Sequence, residues 1–166
     1  MKNDKVYLVG FMGAGKTSVA RALGRRLDWR VEDIDEAIEA RERRSVAVIF
    51  AQEGEPYFRA LEREALRAVL PLRHCVVATG GGTFVDPENR AAIRSDGACV
   101  WLDVGLDEAI GRVPADGRRP LAADRRQFEE LYHLRRTVYQ QAHLRVDVSR
   151  IPIEETAERI IDWLGY

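Results

Sequence analysis

Near the amino terminus, the eight residues from Gly10 to Thr17 follow the pattern G-x-x-x-x-G-K-[ST]. They lie after an apolar run and before a helical pattern, which is the context that a phosphate-binding loop requires. Glycines let the backbone direct N–H groups at phosphate oxygens, and a helix amino terminus adds partial positive charge. This motif predicts Lys16 on the β- and γ-phosphates of a nucleotide and the Thr17 hydroxyl on Mg²⁺. The loop residues expected to contact ATP are Gly13, Ala14, Gly15, Lys16, Thr17 and Ser18.

Two aspartates, Asp33 and Asp35, follow a second apolar run. Alternate residues of a strand point to one side, and parallel sheets bind ligands at the carboxyl ends of their strands. We therefore predict that both carboxylates face the phosphate site, Asp33 toward the metal and Asp35 toward a substrate hydroxyl. The alternative is that Asp35 only caps the helix that follows.

Three glycines, Gly80, Gly81 and Gly82, end a further apolar run. Their small size would allow a ligand to approach the backbone, although a flexible turn is an equal alternative. Arg59 precedes them on a predicted helix, three residues before Glu62. This spacing alone favours a solvated ion pair over a binding residue.

The segment Pro114–Arg126 contains two prolines, a glycine and four arginines, and it predicts a mobile lid. Arg118 and Arg119 lie in this lid, and Arg135 and Arg136 lie on the helix beyond it. The planar guanidinium group suits bidentate contacts with phosphate and carboxylate. Taken singly, each of these arginines could equally be solvated.

Apolar runs alternate with helical periodicity along the chain, which predicts an α/β fold with a five-stranded, mostly parallel sheet covered on both faces. The predicted strands are Lys5–Val9, Trp29–Ile34, Cys75–Thr79, Cys99–Val104 and Leu144–Val148. The predicted helices are Thr17–Leu27, Asp35–Arg43, Ser45–Gln52, Pro56–Leu70, a helix capped by Asp86, Asp107–Val113, Gln127–His143 and Glu154–Leu164. We expect a single domain over residues 1–166, with a lid at about 114–126 and a substrate-binding helical segment at about 35–70.

The composition excludes several function classes. The 166 residues carry 26 basic and 27 acidic side chains, a formal net charge of −1, so no global field attracts nucleic acid or a membrane surface. No apolar run approaches the roughly 20 residues of a membrane span. Cys75 and Cys99 lie in predicted buried strands, and we expect them to be reduced thiols of the core rather than a disulfide or a metal pair. We expect a cytoplasmic monomer whose partners are small molecules, without nucleic acid or membrane.

Taken in order, the segments GFMGAGKT, VEDIDEAIE, SVAVIFAQEGEPYFRALE, ATGGG, RRPL and LRRTVYQQA resemble the shikimate kinase family over nearly the whole chain. The resemblance implies a P-loop fold with a mobile lid, ATP and Mg²⁺ as cofactors, and phosphoryl transfer from ATP to the 3-hydroxyl of shikimate. It also implies catalytic roles for Lys16, Asp35 and Arg119, with Arg119 closing onto the transferred phosphate.

The resemblance further implies which residues hold each substrate. Those implied for shikimate are Asp35, Arg59, Gly80, Gly81, Gly82 and Arg135, the two arginines gripping its carboxylate. Arg112 and Arg150 would lie near the nucleotide, and Thr17 and Asp33 near the metal.

Some positions depart from the family pattern: Thr137 replaces the usual proline, Ala122 a leucine and Gln141 a common glutamate. The alternative function is a P-loop kinase of another small polyol acid such as gluconate. A GTP-dependent switch is disfavoured, because lysine occurs only at positions 2, 5 and 16 and none lies in an [NT]-K-x-D motif.

Overall fold

A single five-stranded sheet forms the centre of the protein. The computed structural model describes residues 3–112 and 124–166. The strands are β1 (Lys5–Val9), β2 (Arg30–Asp33), β3 (Cys75–Ala78), β4 (Ala98–Asp103) and β5 (Leu144–Asp147). They lie in the order β2-β3-β1-β4-β5, and every neighbouring pair is parallel. The predicted α/β fold with five parallel strands is confirmed.

Helices connect the strands and cover the sheet. They are α1 (Lys16–Leu27), α2 (Ile34–Glu42), α3 (Val46–Glu53), α4 (Glu55–Val69), α5 (Pro87–Asp96), α6 (Leu106–Arg112), α7 (Arg125–Tyr139) and α8 (Ile153–Leu164). A short 3-10 helix, Thr83–Val85, was not predicted. The predicted cap of α5 is confirmed, because the Asp86 carboxylate accepts hydrogen bonds from the backbone N–H groups of Glu88 and Asn89.

The middle strands form the core. All residues of β1, β3 and β4 are buried, whereas the edge strands β2 and β5 are partly exposed. Val6 of β1 is in register with Val76 on one side and Ala98 on the other. Strand β1 lies between β3 and β4, so the loop after β1 opens at the crevice where the order of successive strands across the sheet changes direction. This crevice is the usual ligand position in parallel sheets.

Most boundaries differ from the prediction by one residue, and three differences lie near the crevice or are larger. Ile34 belongs to α2 and not to β2. Helix α7 begins at Arg125, where the Asp124 side chain accepts a hydrogen bond from the N–H of Gln127, so the last two residues of the predicted lid are helical. It ends at Tyr139, four residues before the predicted end. Residues 114–123 of the predicted lid, with Arg118, Arg119 and Ala122, lie outside the described residues. Among the helices of the described chain, none is long and apolar enough to cross a membrane.

Candidate active site

The phosphate-binding loop connects β1 to α1, as predicted. Gly10 has a φ of +150°, and a Cβ atom there would lie 2.6 Å from the carbonyl oxygen of Leu102. Gly15 has a φ of +84° immediately before α1. These two positions therefore exclude larger residues, for steric reasons at Gly10 and conformational reasons at both. The Lys16 ammonium donates hydrogen bonds to the carbonyls of Gly10 (2.6 Å) and Phe11 (3.1 Å), which holds it against the loop.

A cavity of about 840 Å³ opens beside this loop at the carboxyl ends of the strands. It brings together almost all the predicted site residues. Those that line it are Gly13, Ala14, Gly15, Lys16, Thr17, Ser18, Asp33, Asp35, Arg59, Gly80, Gly81, Gly82, Arg112 and Arg135. Arg119 lies outside the described residues. Arg150 is exposed and does not line the described part of the cavity, and its backbone has a φ of +62° between β5 and α8.

The two aspartates reach the cavity by a different route from the one predicted. Asp33 ends β2, and Asp35 lies in the first turn of α2, so strand alternation does not align them. It is Asp33, and not Asp35, that caps α2, by accepting a hydrogen bond from the N–H of Glu36 at 2.9 Å. The Thr17 hydroxyl donates to the other oxygen of Asp33 at 2.6 Å. A hydroxyl and a carboxylate side by side are ligands that Mg²⁺ accepts, so this pair fits a metal ion.

Two guanidinium groups face the same cavity from α4 and α7. Arg59 forms an ion pair with Glu62 at 3.0 Å, and Arg135 lies with its guanidinium carbon 5.9 Å from the Phe11 ring centre. Burial lowers the pKa of Arg135; the positive charge of Arg59 lowers it further, while Tyr139 acts in the opposite sense. Two neighbouring guanidinium groups in a partly desolvated cavity favour a bound anion, and a carboxylate matches their geometry.

Glu62 belongs to this site, although its sequence position indicated only a surface ion pair. Its side chain is 1% exposed and lines the cavity. It accepts a hydrogen bond from the Thr83 hydroxyl at 2.9 Å, and that hydroxyl accepts one from the N–H of Gly80, also at 2.9 Å. Glu62 therefore links Arg59 to the glycine triplet. The i,i+3 spacing was visible in the sequence, but the burial that changes its meaning was not.

Further lining residues were missed because their types are ordinary core types. Apolar side chains of α3 and α4 line the cavity near Arg59, and others lie at and after the end of β5. These side chains are Val46, Phe50, Phe58, Val148, Ile151 and Ile153. Arg112, which was predicted to lie near the nucleotide, donates to the Gly13 carbonyl at 2.8 Å and forms an ion pair with Glu108 at 2.8 Å.

Comparison with known proteins places the chain in a family. A family model of shikimate kinase matches residues 12–165. The chain belongs to the shikimate kinase family. A shikimate kinase of Geobacter metallireducens is 41% identical over 162 residues, covering 96% of this chain and 90% of the relative. One from Persephonella marina is 39% identical over 145 residues, covering 87% of this chain and 88% of the relative.

A solved structure of shikimate kinase from Acinetobacter baumannii, in complex with shikimate, superposes on the chain with a TM-score of 0.93. The two are 30% identical, and the match covers 97% of this chain and 92% of the other. As a member of the shikimate kinase family, the protein is a small-molecule kinase that transfers phosphate to an alcohol and depends on ATP and Mg²⁺.

Proposed function

We propose that the protein transfers the γ-phosphate of ATP to the 3-hydroxyl of shikimate, giving shikimate 3-phosphate and ADP. One observation carries the proposal: a pair of arginines, Arg59 and Arg135, shares a cavity with Asp35 and with the phosphate-binding loop. A hydroxylated acid needs this combination, because its carboxylate requires cations and its hydroxyl requires an acceptor near the phosphate.

Each acid-binding group has a distinct role. Arg59 and Arg135 hold the carboxylate of the acid, and Asp35 accepts a hydrogen bond from the reacting hydroxyl. The glycine triplet, Gly80 to Gly82, lets the backbone lie against the ring of the substrate. The apolar side chains of α3 and α4 contact the ring carbons.

The other half of the cavity holds the nucleotide. Gly13, Ala14, Gly15 and Ser18 contact its phosphates through the loop backbone and the first turn of α1, and Lys16 contacts the γ-phosphate that is transferred. Arg112 lies beside the nucleotide, and the apolar residues after β5 suit a flat base. Thr17 and Asp33 would hold Mg²⁺, which neutralises charge on the phosphates when it is bound. Arg119 and Arg150 remain nucleotide contacts predicted from the family resemblance.

The reaction requires a single displacement. The hydroxyl oxygen forms a bond to the γ-phosphorus while the bond between that phosphorus and the bridging oxygen to the β-phosphate breaks. The hydroxyl proton passes to Asp35, and the electron pair of the broken bond remains on ADP. Lys16, and Arg119 from the lid, stabilise the charge that accumulates on the transferred group.

The family match and the relatives support shikimate as the acceptor over gluconate, the alternative acid. The reaction belongs to aromatic amino acid biosynthesis through chorismate. We further propose a cytoplasmic monomer with one kinase domain over residues 1–166, a lid within about 114–124 and a substrate-binding segment over α2 to α4.

The first test is a coupled assay of ADP release with shikimate, quinate, gluconate and nucleoside monophosphates at saturating ATP and Mg²⁺. We expect kcat/KM to be highest for shikimate by at least about tenfold, since an analogue that leaves buried polar groups of the site without partners loses at least this much. A higher kcat/KM with gluconate would overturn the proposal.

The second test separates the two aspartates. Asp35→Asn preserves size but cannot take up the hydroxyl proton, so kcat should fall about 10²–10⁴-fold. Asp33→Asn is the matched variant, because asparagine still caps a helix but loses the charge beside Thr17. It should mainly raise the Mg²⁺ concentration needed for half-maximal rate. Full activity of Asp35→Asn, together with loss of activity of Asp33→Asn at saturating Mg²⁺, would reverse the assignment.

A further inference from the structure

Adjacent arginines on α7 point to different surroundings. Arg135 lines the cavity, whereas Arg136 forms an ion pair with Asp103 at the end of β4. The Arg136 guanidinium also donates to the Tyr132 hydroxyl at 3.0 Å, and its carbon lies 5.1 Å from the Trp101 ring centre. Arg136 is thus tied to the sheet and lies outside the substrate cavity.

Asp103 is a buried anchor for two arginines. Its side chain is only 6% exposed. One oxygen accepts a hydrogen bond from Arg136, and the other accepts one from the Nε atom of Arg145 of β5 at 2.8 Å, with an ion-pair distance of 2.6 Å to the Nη2 atom of the same guanidinium. A buried carboxylate fixes the guanidinium groups around it strongly, because leaving either charge without its partner is costly. The end of α7 is therefore held to β4 by charge as well as by packing.

Arg135 needs such an anchor. Its guanidinium is buried close to the positively charged Arg59, and the repulsion between them favours displacement of α7 from α4, against the attraction of Glu62 and Glu55. Three contacts on α7 oppose this displacement, one of which is the hydrogen bond from the Tyr139 hydroxyl to the Gly81 carbonyl. Tyr132 donates to the carbonyl of Val104 at 2.6 Å, one turn before Arg135, and Arg136 binds Asp103 immediately after it.

We infer that Arg136 and Asp103 are a positioning pair that keeps Arg135 in the cavity before the acid arrives. The pair does not contact the substrate; it sets the affinity for the substrate carboxylate through the placement of α7. The inference rests on the proposed function, since it takes the paired arginines as the carboxylate site.

The test compares Arg136→Gln with Arg145→Gln. Both variants remove one arginine from the same Asp103 carboxylate and the same Trp101 ring, but only Arg136 lies on the helix of Arg135. Shikimate affinity is measured by calorimetry without nucleotide, and KM for ATP by the coupled assay. We expect Arg136→Gln to weaken shikimate binding about tenfold, because a displaced clamp loses part of its geometry. KM for ATP should stay within about twofold. Arg145→Gln should leave both values near those of the wild type.

Arg136→Lys retains a charge for Asp103 and should recover part of the lost affinity, which also covers a failure of the glutamine variant to fold. Equal shikimate affinity in the wild type, Arg136→Lys and Arg136→Gln would overturn the inference. So would an equal loss in Arg145→Gln, which would indicate general destabilisation. If the wild type itself does not bind shikimate, the proposed function fails first, and the inference falls with it.

Discussion

At the scale of single residues, the glycine triplet after β3 leaves space for three functional side chains. A Cβ atom on Gly80 would lie 2.8 Å from a carboxylate oxygen of Asp35, and one on Gly81 would lie 2.9 Å from Arg135. A Cβ atom on Gly82 would lie 2.5–2.7 Å from the guanidinium of Arg59. The absence of side chains here thus allows all three residues to approach the same backbone segment.

Gly82→Ala should impair acid binding while the fold is retained. The Gly82 backbone has φ −99° and ψ −6°, which alanine can adopt, and the obstructed atoms end a flexible side chain. The Arg59 guanidinium should therefore move away from the carboxylate of the acid. The loss of this charged hydrogen bond to the substrate should raise KM for shikimate about tenfold to a hundredfold. The free energy of unfolding should change by less than about 1 kcal/mol.

Gly111→Ala on α6 is the control for this variant, since a Cβ atom there would meet nothing within 4 Å. Its KM for shikimate should equal that of the wild type. An unchanged KM in Gly82→Ala would show that Arg59 does not need its present position.

The loop residues could be predicted from sequence because their chemistry is local. The pattern from Gly10 to Thr17 specifies its own backbone conformation and its own helix. The role of Glu62 in the site could not be predicted in the same way, because it depends on the burial of this side chain between α4 and the 3-10 helix. Only the tertiary fold brings these two elements together. The predicted alignment of Asp33 and Asp35 depended on where the strand ends and the helix begins. Sequence reasoning is weakest at such boundaries, and an error of one residue changed the result.

At the scale of secondary structure elements, β4 and β5 are joined at their start by a histidine. The Nδ1 atom of the His143 ring accepts a hydrogen bond from the backbone N–H of Cys99 at 3.0 Å. The backbone N–H of His143 donates to the Cys99 carbonyl at 2.9 Å. Burial lowers the pKa of His143, and Arg94 lowers it further. A protonated ring could no longer accept the bond from Cys99, so this pairing depends on the neutral form.

The stability of the protein should therefore fall in mild acid. Since the pKa of His143 is lower in the folded state than the ordinary value of 6.5, the unfolded state binds the proton more readily. The contribution is complete above pH 6.5 and is lost as the pH falls through the folded-state pKa. Urea unfolding at pH 7.5 and about 5.5 should show a smaller pH effect in His143→Gln than in the wild type, while His74 and His133 remain in both proteins. Equal pH effects would contradict this assignment.

Most elements were predictable because each strand is a short apolar run bounded by turn residues. The errors fall at element ends. Trp29 was assigned to a strand, but it lies before β2 and packs its ring against His74 and Tyr166. The start of α7 was assigned to the lid because Arg125 and Arg126 continue an arginine-rich segment, although Asp124 supplies a cap. Composition obscured a local capping signal in that case.

At the scale of the whole molecule, a charged cluster joins distant segments at the end of the sheet opposite the cavity. Lys5, at the start of β1, is fully buried and forms an ion pair with Asp96 at 2.8 Å. It also donates to the carbonyls of Val69 and Leu70 at the end of α4. Burial alone would raise the pKa of Asp96, but hydrogen bonds from Lys5 and other partners hold it below its ordinary value. The cluster therefore connects β1, α4 and α5.

Lys5→Met should destabilise the protein by about 2 kcal/mol, because it removes a buried charged donor from Asp96 and from the Val69 carbonyl, while Arg73 still binds Asp96 and the Leu70 carbonyl. Arg21→Gln is the control: it breaks an ion pair with Glu36 in which both side chains are 57% exposed, and should cost less than about 1 kcal/mol. Free energies from urea unfolding provide the comparison. KM for both substrates should remain normal at low denaturant, because the cluster lies away from the cavity. A loss no larger than that of the control would show that the cluster is not stabilising.

The order of the strands could not be obtained from the sequence. Five alternating strands predict a parallel sheet, but the placement of β3 between β2 and β1 depends on contacts between residues far apart in the chain. Likewise, Lys5 was predicted only as part of a strand, and its partners on α4 and α5 are more than 60 residues away. Non-local pairing of this kind leaves little trace in local composition or spacing.

The scarcity of lysine also determines how the protein responds to covalent reagents. Among the described residues the lysines are Lys5, which is buried, and Lys16, which is partly exposed in the phosphate-binding loop. Burial raises the pKa of the Cys75 thiol to about 11 and that of Cys99 to about 12, so both resist alkylation. Within the described chain, amine-directed acylation therefore falls on Lys16. Acylation of Lys16 would label the nucleotide site, and immobilisation through this residue would block it.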